Sequence, residues 1–357
     1  MAAPRDLDMH RMQAFGAQLA GYMNGASVAL MMSVGHRTGL FDAMAALAPS
    51  TSHEIAEAAG LNERYVREWL GSVASAGIVE YDAVRDAFSL PREHAALLTR
   101  TSPRNTAATA QLVSVFGSVE DQIVERFREG GGLTYDHYGR FSAVMAELSR
   151  AMYDHALVDS ILPLVPGLVE ALHRGIDVAD IATGSGHAIN VMARAFPNSR
   201  FTGYDISVEG IERGRAEATG WGLTNAFFEV VDVATLDAPG RFDFLTTFDA
   251  VHDQAQPHVV VQRIHDALKP GAYWLCVDIG ASSNVGENLS NPMAPMLYAT
   301  SCMHCMSVSL AHGGPGLGAM WGVQTARAMF ADAGFVEVKT HRLPSDPVNN
   351  YYVCRRG

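Results

Sequence analysis

The stretch DIATGSG, residues 180–186, follows an apolar run that begins at Ile176 and precedes a helical pattern that continues through Phe196. Small residues at a strand-to-helix turn let the backbone approach a ligand, and backbone amides point out of the helix N-terminus. This stretch therefore predicts a cofactor-binding turn at the start of a β-α-β unit.

Further strand-like runs follow this turn. They are RFTGYDI (200–206), FFEVVDV (227–233), FDFLTTFD (242–249), YWLCVDIG (273–280), and a closing pair, GFVEVKTHRL (334–343) and NNYYVCRR (349–356). Strands that alternate with helical patterns favour a parallel sheet, and the last two runs suggest an antiparallel closing pair. The predicted fold class is α/β, with a Rossmann-like, mostly parallel seven-stranded sheet.

The turn alone leaves several interpretations open. Asp205 ends the second strand 25 residues after Asp180, where a carboxylate can bind the hydroxyls of a ribose, as in NAD enzymes. The dinucleotide fingerprint G-x-G-x-x-G is not met, because Ala182 and Ile189 occupy two of its glycine positions. Gly184 could also serve only a turn with positive φ, and Asp205 could be a solvated strand end.

The segment resembles motif I of class I S-adenosylmethionine-dependent methyltransferases, an acidic residue and an apolar one followed by G-x-G-x-G. Ala182 replaces the first glycine and adds a methyl group near the methionine part of the cofactor. The resemblance implies S-adenosylmethionine as cofactor, with Asp180, Thr183, Gly184 and Gly186 forming its turn.

The same resemblance assigns further cofactor contacts along the chain. It implies that Asp205 holds the ribose, that Ile206 lies against the adenine, and that Asp232 meets the adenine amine with Val233 beside it. Phe248, at the end of the fourth strand, joins this set. ALKPGA (267–272) is similar to the family's turn before the fifth strand.

Methyl transfer from a sulfonium is a direct displacement, so a hydroxyl acceptor needs a base. TTFDAVHDQAQP (246–257) resembles the L-H-D-W stretch of small-molecule O-methyltransferases from plants and bacteria, in which the histidine is the base; Gln254 replaces the tryptophan. An unperturbed imidazole titrates near pH 6.5, which makes His252 available as a neutral base without special tuning. The alternative is that His252 caps or packs the start of a helix.

Two other segments offer pocket residues. ELSRAMYDHA (147–156) is similar to a helix of the same enzymes, which places Met152 beside the cofactor sulfur and His155 near the pocket or on the outer face; a helical methionine also fits a core position. The long connection 282–321 predicts a lid over the acceptor. It contributes three candidate acids or bases, which could equally be solvated: Glu287, His304 and His312.

The cluster CMHC at residues 302–305 raises the possibility of zinc. A structural zinc site needs four ligands, and no second C-x-x-C or H-x-x-x-H pattern accompanies this one. We therefore expect no metal. The four cysteines of the chain are few and unevenly spaced, which favours reduced thiols in the cytoplasm.

The N-terminal region has a different pattern. Residues 10–34 predict an apolar helix that is buried or dimer-forming rather than a signal peptide. Residues 35–91 predict three helices and a hairpin, the order of a winged helix, with Ser50 or Ser52 and then Asn62 as helix caps.

A winged helix makes a DNA-binding regulator that senses the cofactor the leading rival to an enzyme. The chain carries a net charge of −12, and residues 35–95 contain five arginines and nine acidic residues. This negative balance disfavours binding to the phosphate backbone of DNA. In the O-methyltransferases that the chain resembles, this domain pairs two subunits and helps to close each active site. The chain is also similar to uncharacterised bacterial winged-helix methyltransferases, particularly mycobacterial ones.

The sequence therefore predicts a cytoplasmic homodimer that methylates a small, hydrophobic or aromatic molecule and binds neither nucleic acid nor membrane; an NAD-dependent oxidoreductase is the other alternative. The predicted domains are a dimerisation domain at 1–95, a helical pocket region at 96–173 and the cofactor domain at 174–357.

Overall fold

The computed structural model describes residues 7–357, so the first six residues of the predicted domain 1–95 lie outside the described part. The chain divides into two compact units, Met1–Gly117 and Ser118–Gly357. The predicted separate region 96–173 is therefore not a unit of its own, because its helices are divided between the two units.

The first unit is helical, with one small hairpin. Its elements are α1 (Met9–Thr38), α2 (Leu40–Ala46), α3 (Ser52–Ala59), α4 (Glu63–Ser75), β1 (Glu80–Asp82), β2 (Ala87–Ser89), α5 (Arg92–Leu98), a 3-10 turn (Ala107–Ala110) and α6 (Gln111–Gly117). This order agrees with the predicted winged helix.

Helix α1 is 30 residues long and is only partly packed. All residues from 7 to 27 are exposed. The last third packs into the winged-helix core, where the Trp69 indole donates to the Met31 carbonyl at 2.8 Å and a Cβ on Gly35 would lie 2.6 Å from the Trp69 ring. The predicted helix at 10–34 is confirmed, and most of its apolar surface lacks a partner within this unit.

The helix boundaries follow their capping chemistry. Thr51 caps α3 in a capping box with Glu54, so the predicted caps Ser50 and Ser52 are wrong by one residue. Asn62 caps α4 as predicted. Gly39, with φ of 77°, separates α1 from α2.

The second unit surrounds a sheet with helices. Its helices are α7 (Glu120–Glu129), α8 (Phe141–Met152), α9 (Leu168–Arg174), α10 (His187–Ala195), α11 (Val208–Gly220), α12 (Pro257–Ala267), α13 (Val285–Asn288), α14 (Ala294–Thr300), α15 (Met306–Ala311) and α16 (Gly322–Asp332). Two π-helical segments, Tyr153–Ile161 and Ser301–Cys305, continue α8 and α14.

The sheet has seven strands. They are β3 (Asp177–Ile181), β4 (Arg200–Asp205), β5 (Ala226–Val230), β6 (Phe242–Phe248), β7 (Leu268–Ile279), β8 (Phe335–Leu343) and β9 (Asp346–Arg356), in the spatial order β5-β4-β3-β6-β7-β9-β8. Strands β3 to β7 pair in parallel and β9 pairs antiparallel with both neighbours. The predicted Rossmann-like architecture is confirmed, and strand order reverses between β3 and β6, where ligands bind in such sheets.

Two sequence predictions need correction. The turn expected at 267–272 lies inside β7, as a bulge opposite Asp243 with Gly271 at φ of 78°, and Lys269 donates to the Asp243 carboxylate at 2.8 Å. The connection 282–321 is not an open loop, because α13, α14, a π-helical segment and α15 occupy most of it.

Among residues 7–357, no single helix has the length and apolar composition needed to cross a membrane; one sharply bent pair, Phe141–Leu164 with Leu168–Arg174, passes on these two criteria alone.

Candidate active site

The turn between β3 and α10 holds three residues in the left-handed region of backbone space. The φ angles are 59° at Ala182, 58° at Gly184 and 71° at Gly186. Glycine adopts these angles freely, whereas a residue with a Cβ pays about 1–2 kcal/mol there. Replacement of the first motif glycine by Ala182 therefore strains the backbone, in addition to adding the methyl group noted from the sequence.

The two glycines of this turn have different surroundings. A Cβ on Gly186 would lie 2.2 Å from a ring carbon of Phe228, so this glycine is required by packing against β5. A Cβ on Gly184 would meet no atom within 4 Å. Gly184 therefore presents an open backbone face, which is the property that close approach of a ligand requires.

Asp205 lies beside this open face at the end of β4. Its carboxylate accepts hydrogen bonds from the Gly184 amide at 2.7 Å and from the Ser207 amide at 2.8 Å. Burial raises the pKa of Asp205, and these amide donors oppose the rise. The next residue, Ile206, is 66% exposed, which leaves an apolar side chain available to a ring.

The other predicted cofactor residues divide between surface and core. Asp232 caps a short 3-10 turn by accepting from the Ala234 amide at 3.0 Å. Val233 is buried in the core, so only its backbone can face a ligand. Phe248 is also mostly buried, with its ring edge-on to Tyr153 at 5.0 Å between centroids.

Asp180 lies at the end of β3, buried next to the turn. It is 2% exposed, and the Thr246 hydroxyl of the neighbouring strand donates to it at 2.7 Å. Burial raises its pKa to about 7, against the opposing hydrogen bonds from Thr183 and Thr246. This buried position indicates a structural role beneath the turn.

His252 follows β6 and is held between two carboxylates. Its Nδ1 lies 2.7 Å from Oδ1 of Asp278, and its Nε2 lies 3.1 Å from Oδ1 of Asp253. The Trp321 indole also donates to Oδ1 of Asp278, at 3.0 Å. Asp278 is thus fixed and orients the imidazole, which leaves Nε2 on the side of Asp253.

The charges around His252 change its protonation. Burial alone would lower the pKa of His252, but the Asp278 and Asp253 carboxylates raise it well above the ordinary histidine value. The expectation of an untuned imidazole near pH 6.5 is therefore wrong. Burial raises the pKa of Asp253 to about 6 and that of Asp249 to about 8.

Cys305 completes this cluster. One ligand atom each of His252, Asp253 and Cys305 lies within 4.8 Å of the others, which is a possible donor set for zinc. Cys302 and His304, the other members of the CMHC cluster that raised the possibility of zinc, do not belong to this set. A structural zinc needs four ligands, so we assign no ion to these three donors, and the absence of a metal stays a prediction.

The structure places only some of the predicted pocket residues near His252. His304 is fully buried and precedes Cys305 in the chain. Burial and the charge of His252 lower the pKa of His304. Met152 is half-buried against the core that contains Phe248. The remaining three are exposed: His155, Glu287 and His312.

Two of these exposed residues have hydrogen-bond partners of their own. Glu287 accepts from the Ser282 hydroxyl at 2.6 Å and from the Gln324 amide at 3.3 Å, and Nδ1 of His312 lies 3.0 Å from the Val308 carbonyl. The placement of these residues in the acceptor pocket stays a prediction.

Sequence reasoning missed three acidic or phenolic members of the site. Asp249 adopts a φ of 49° at the end of β6, and its buried Oδ1 has no partner among the described residues. Asp278 was detectable as a lone carboxylate in the apolar run YWLCVDIG. Tyr135, whose hydroxyl donates to Oδ2 of Asp253 at 3.3 Å, had no sequence signal.

Comparison with known protein families identifies both parts of the chain. Residues 26–100 match the Rv2258c-like winged HTH domain, and residues 172–334 match a methyltransferase domain. The predicted winged helix and methyltransferase domain are therefore confirmed.

Curated relatives overlap with the chain only in part. Over 102 residues, the chain is 28% identical to the ubiquinone/menaquinone biosynthesis C-methyltransferase of Desulfotalea psychrophila, covering 28% of this chain and 40% of that protein. Over 175 residues, it is 28% identical to the release factor glutamine methyltransferase of Koribacter versatilis, covering 41% and 60%. The chain thus spans less than two thirds of either protein.

Solved structures share the fold over nearly the whole chain. Human N-acetylserotonin methyltransferase in complex with S-adenosylmethionine is 16% identical, with a TM-score of 0.71 and full coverage of both chains. The mitomycin 7-O-methyltransferase MmcR is 19% identical, with a TM-score of 0.68 and coverage of 97% and 99%. An O-methyltransferase family protein from Burkholderia thailandensis is 17% identical, with a TM-score of 0.66 and coverage of 96% and 98%.

The two glycines of the turn are expected to differ in their contribution to stability. Gly184→Ala should lower the free energy of unfolding by about 1–2 kcal/mol, from its backbone angle alone. Gly186→Ala should cost about 1–3 kcal/mol more, because the Phe228 ring must move. Urea denaturation followed by tryptophan fluorescence measures both; equal losses would contradict the assigned surroundings.

Proposed function

Because residues 172–334 form a methyltransferase domain, we propose that the protein transfers the methyl group of S-adenosylmethionine to a small hydroxyl-bearing acceptor. The observation that carries this proposal is the cradle at the carboxyl edge of β3 and β4. There, the open backbone of Gly184 is joined to the Asp205 carboxylate by a hydrogen bond of 2.7 Å. Asp205 and the exposed Ile206 fit a ribose and an adenine, respectively.

The charge of the site supports a cationic donor. Asp180, Asp249 and Asp278 lie at or next to the carboxyl ends of the neighbouring strands β3, β6 and β7. Oδ1 of Asp249 is buried without a partner, and burial of an uncompensated carboxylate is unfavourable. A sulfonium cofactor would supply positive charge beside this group.

His252 is our proposed general base. Asp278 would hold Nδ1–H, so that Nε2 can take the proton of the acceptor hydroxyl as its oxygen becomes a nucleophile. S-adenosylmethionine, held by Gly184 and Asp205, would supply the electrophilic methyl group and a neutral thioether as leaving group. His252 is 3% exposed, which excludes bulk water from the proton transfer. The raised pKa requires the imidazolium to lose its proton before each turnover.

We further propose that the protein is a cytoplasmic homodimer formed through α1. Its exposed turns carry a row of large apolar side chains, which a second copy would cover: Met12, Phe15, Leu19, Tyr22 and Met23. The four free cysteines support a reducing compartment.

The charged residues of the winged helix do not support binding to nucleic acid. On α4, Arg64 pairs with Glu68 at 2.5 Å and Arg67 pairs with Glu63 at 2.7 Å. These pairs satisfy the arginines that would otherwise contact phosphate, in agreement with the acidic balance of the region.

Donor binding tests the proposed function. The protein should bind S-adenosylhomocysteine in isothermal titration, and Gly184→Ala should weaken this binding by about 10- to 100-fold, because a methyl group there enters the ligand's space. Gly220→Ala, a helical position whose Cβ would meet no atom within 4 Å, is the control that should keep full affinity. No heat with S-adenosylhomocysteine would overturn the proposal.

The pH dependence of turnover tests the base. Only neutral His252 accepts a proton, and its pKa is raised, so kcat/KM should climb with pH above the ordinary histidine range rather than level off near neutrality. Asp253→Asn removes one raising charge and should shift this climb to lower pH. His252→Ala should abolish turnover with donor affinity nearly unchanged; activity retained in that variant would point to another base.

Sedimentation velocity tests the dimer. Phe15→Glu combined with Leu19→Glu should convert the dimer to a monomer, because two charges cannot be buried against an apolar partner. Val84→Glu, at a 96% exposed apolar residue of the β1–β2 turn, should leave the dimer intact. A monomeric wild-type protein, or dissociation of both variants, would contradict the assigned surface.

A further inference from the structure

A buried imidazole without a partner lies beside the His252 cluster. His304 is fully buried, and neither of its ring nitrogens has a hydrogen-bond partner among the described residues. Burial and the charge of His252 lower its pKa to about 3, so the ring is neutral and offers one donor and one acceptor. Buried polar atoms are nearly always bonded, so both atoms require an explanation.

Three aromatic rings surround this imidazole. Phe141 stacks on it with 3.5 Å between ring centroids, while Tyr138 and Tyr135 meet it edge-on at 4.6 and 5.6 Å. We call Tyr135, Tyr138, Phe141 and His304 the aromatic box. A phenylalanine at position 304 would pack among these rings without leaving polar atoms unbonded, so packing alone does not account for histidine.

The aromatic box is connected to the proposed base. The Tyr135 hydroxyl donates to Oδ2 of Asp253, whose Oδ1 lies 3.1 Å from Nε2 of His252. The Tyr135 ring is 46% exposed, so it lies at the surface end of the box. The box and the imidazole of His252 are therefore linked through a single carboxylate, that of Asp253.

The backbone around the box has features of a binding site. His304 belongs to the π-helical segment Ser301–Cys305, and such segments occur frequently at functional sites. Tyr135 follows three glycines, of which Gly130 and Gly131 have φ of 75°, while Gly132 rests so closely on α15 that a Cβ would lie 1.7 Å from the Ser307 carbonyl oxygen.

We propose that the aromatic box recognises the methyl acceptor, and that the acceptor is a planar aromatic hydroxy compound with a second hydrogen-bonding oxygen or nitrogen on its ring system. This inference rests on the proposed function. The planar ring packs among the aromatic side chains, and its second polar group bonds to the otherwise unpartnered His304. The first hydroxyl then faces His252.

The test uses the full-length protein saturated with S-adenosylhomocysteine. Isothermal titration compares naphthol with the dihydroxynaphthalene isomers, which share the ring and differ in the second hydroxyl. In the wild-type protein, at least one dihydroxy isomer should bind about tenfold more tightly than naphthol, as expected for one additional hydrogen bond.

In His304→Phe this preference should disappear, while naphthol affinity is kept or increased. His312→Phe is the matched control, because His312 is exposed and bonded within its own turn, and it should keep the preference. His304→Gln retains a donor and an acceptor and should keep part of the preference; it takes the place of His304→Phe if that variant does not fold.

A preference that persists unchanged in His304→Phe would overturn the inference, as would complete loss in His304→Gln or the absence of any preference in the wild-type protein. Binding of S-adenosylhomocysteine without binding of any naphthol also overturns this inference and leaves the proposed function intact. Failure to bind S-adenosylhomocysteine is the failure of the proposed function itself.

Discussion

Burial of carboxylates along one edge of a parallel sheet is the constraint on which the second unit depends. Asp180, Asp249 and Asp278 lie at or next to the carboxyl ends of β3, β6 and β7. Each negative charge in this position is unfavourable unless hydrogen bonds or a cation offset it. Thr246 and Trp321 offset two of them, by donating to Asp180 and to Asp278. Asp249 and Asp278 each keep an unbonded oxygen, and burial raises the pKa of Asp249 to about 8. A cation beside Asp249 would favour its ionised form.

The strand order determines how these groups meet. In the sheet, β3 lies between β4 and β6. Gly184, in the turn after β3, therefore donates to Asp205 of β4, and Asp180 of β3 accepts from Thr246 of β6. The cradle formed by Gly184 and Asp205 and the cluster around His252 therefore lie at the same edge of the sheet. Tyr153, whose ring contacts Phe248, and His304 both lie in π-helical segments. A widened helical turn shifts side chains relative to regular α-helical spacing.

The sequence predicted most of the sheet and the cofactor turn because those signals are local. Alternating apolar runs identify strands, and glycines after a strand identify a turn whatever the rest of the chain does. The His252 environment is different in kind, since Asp278 and Trp321 are distant in sequence from the histidine they position. Tyr135 reaches Asp253 across an even longer separation, and nothing in its local pattern distinguishes it from a surface tyrosine.

The pocket assignments that stay untested have a related limit. His155, Glu287 and His312 were selected for residue type within segments expected to face the acceptor, but type alone does not fix direction. Once 282–321 forms helices, its histidines point to different sides, and only His304 turns inward.

Unfavourable features are concentrated at the same edge of the sheet. Three described non-glycine residues have positive φ, and two of them, Ala182 and Asp249, border the site; the third, Asp86, lies in the β1–β2 turn. Strain and unbonded polar atoms persist only where the surrounding structure enforces them, and they lower the stability of the unliganded protein. A cofactor beside Asp249 and an acceptor bonded to His304 would together relieve both penalties. Binding of the two would then stabilise the site more than their apolar contact area alone accounts for, because the free protein starts with unbonded polar atoms.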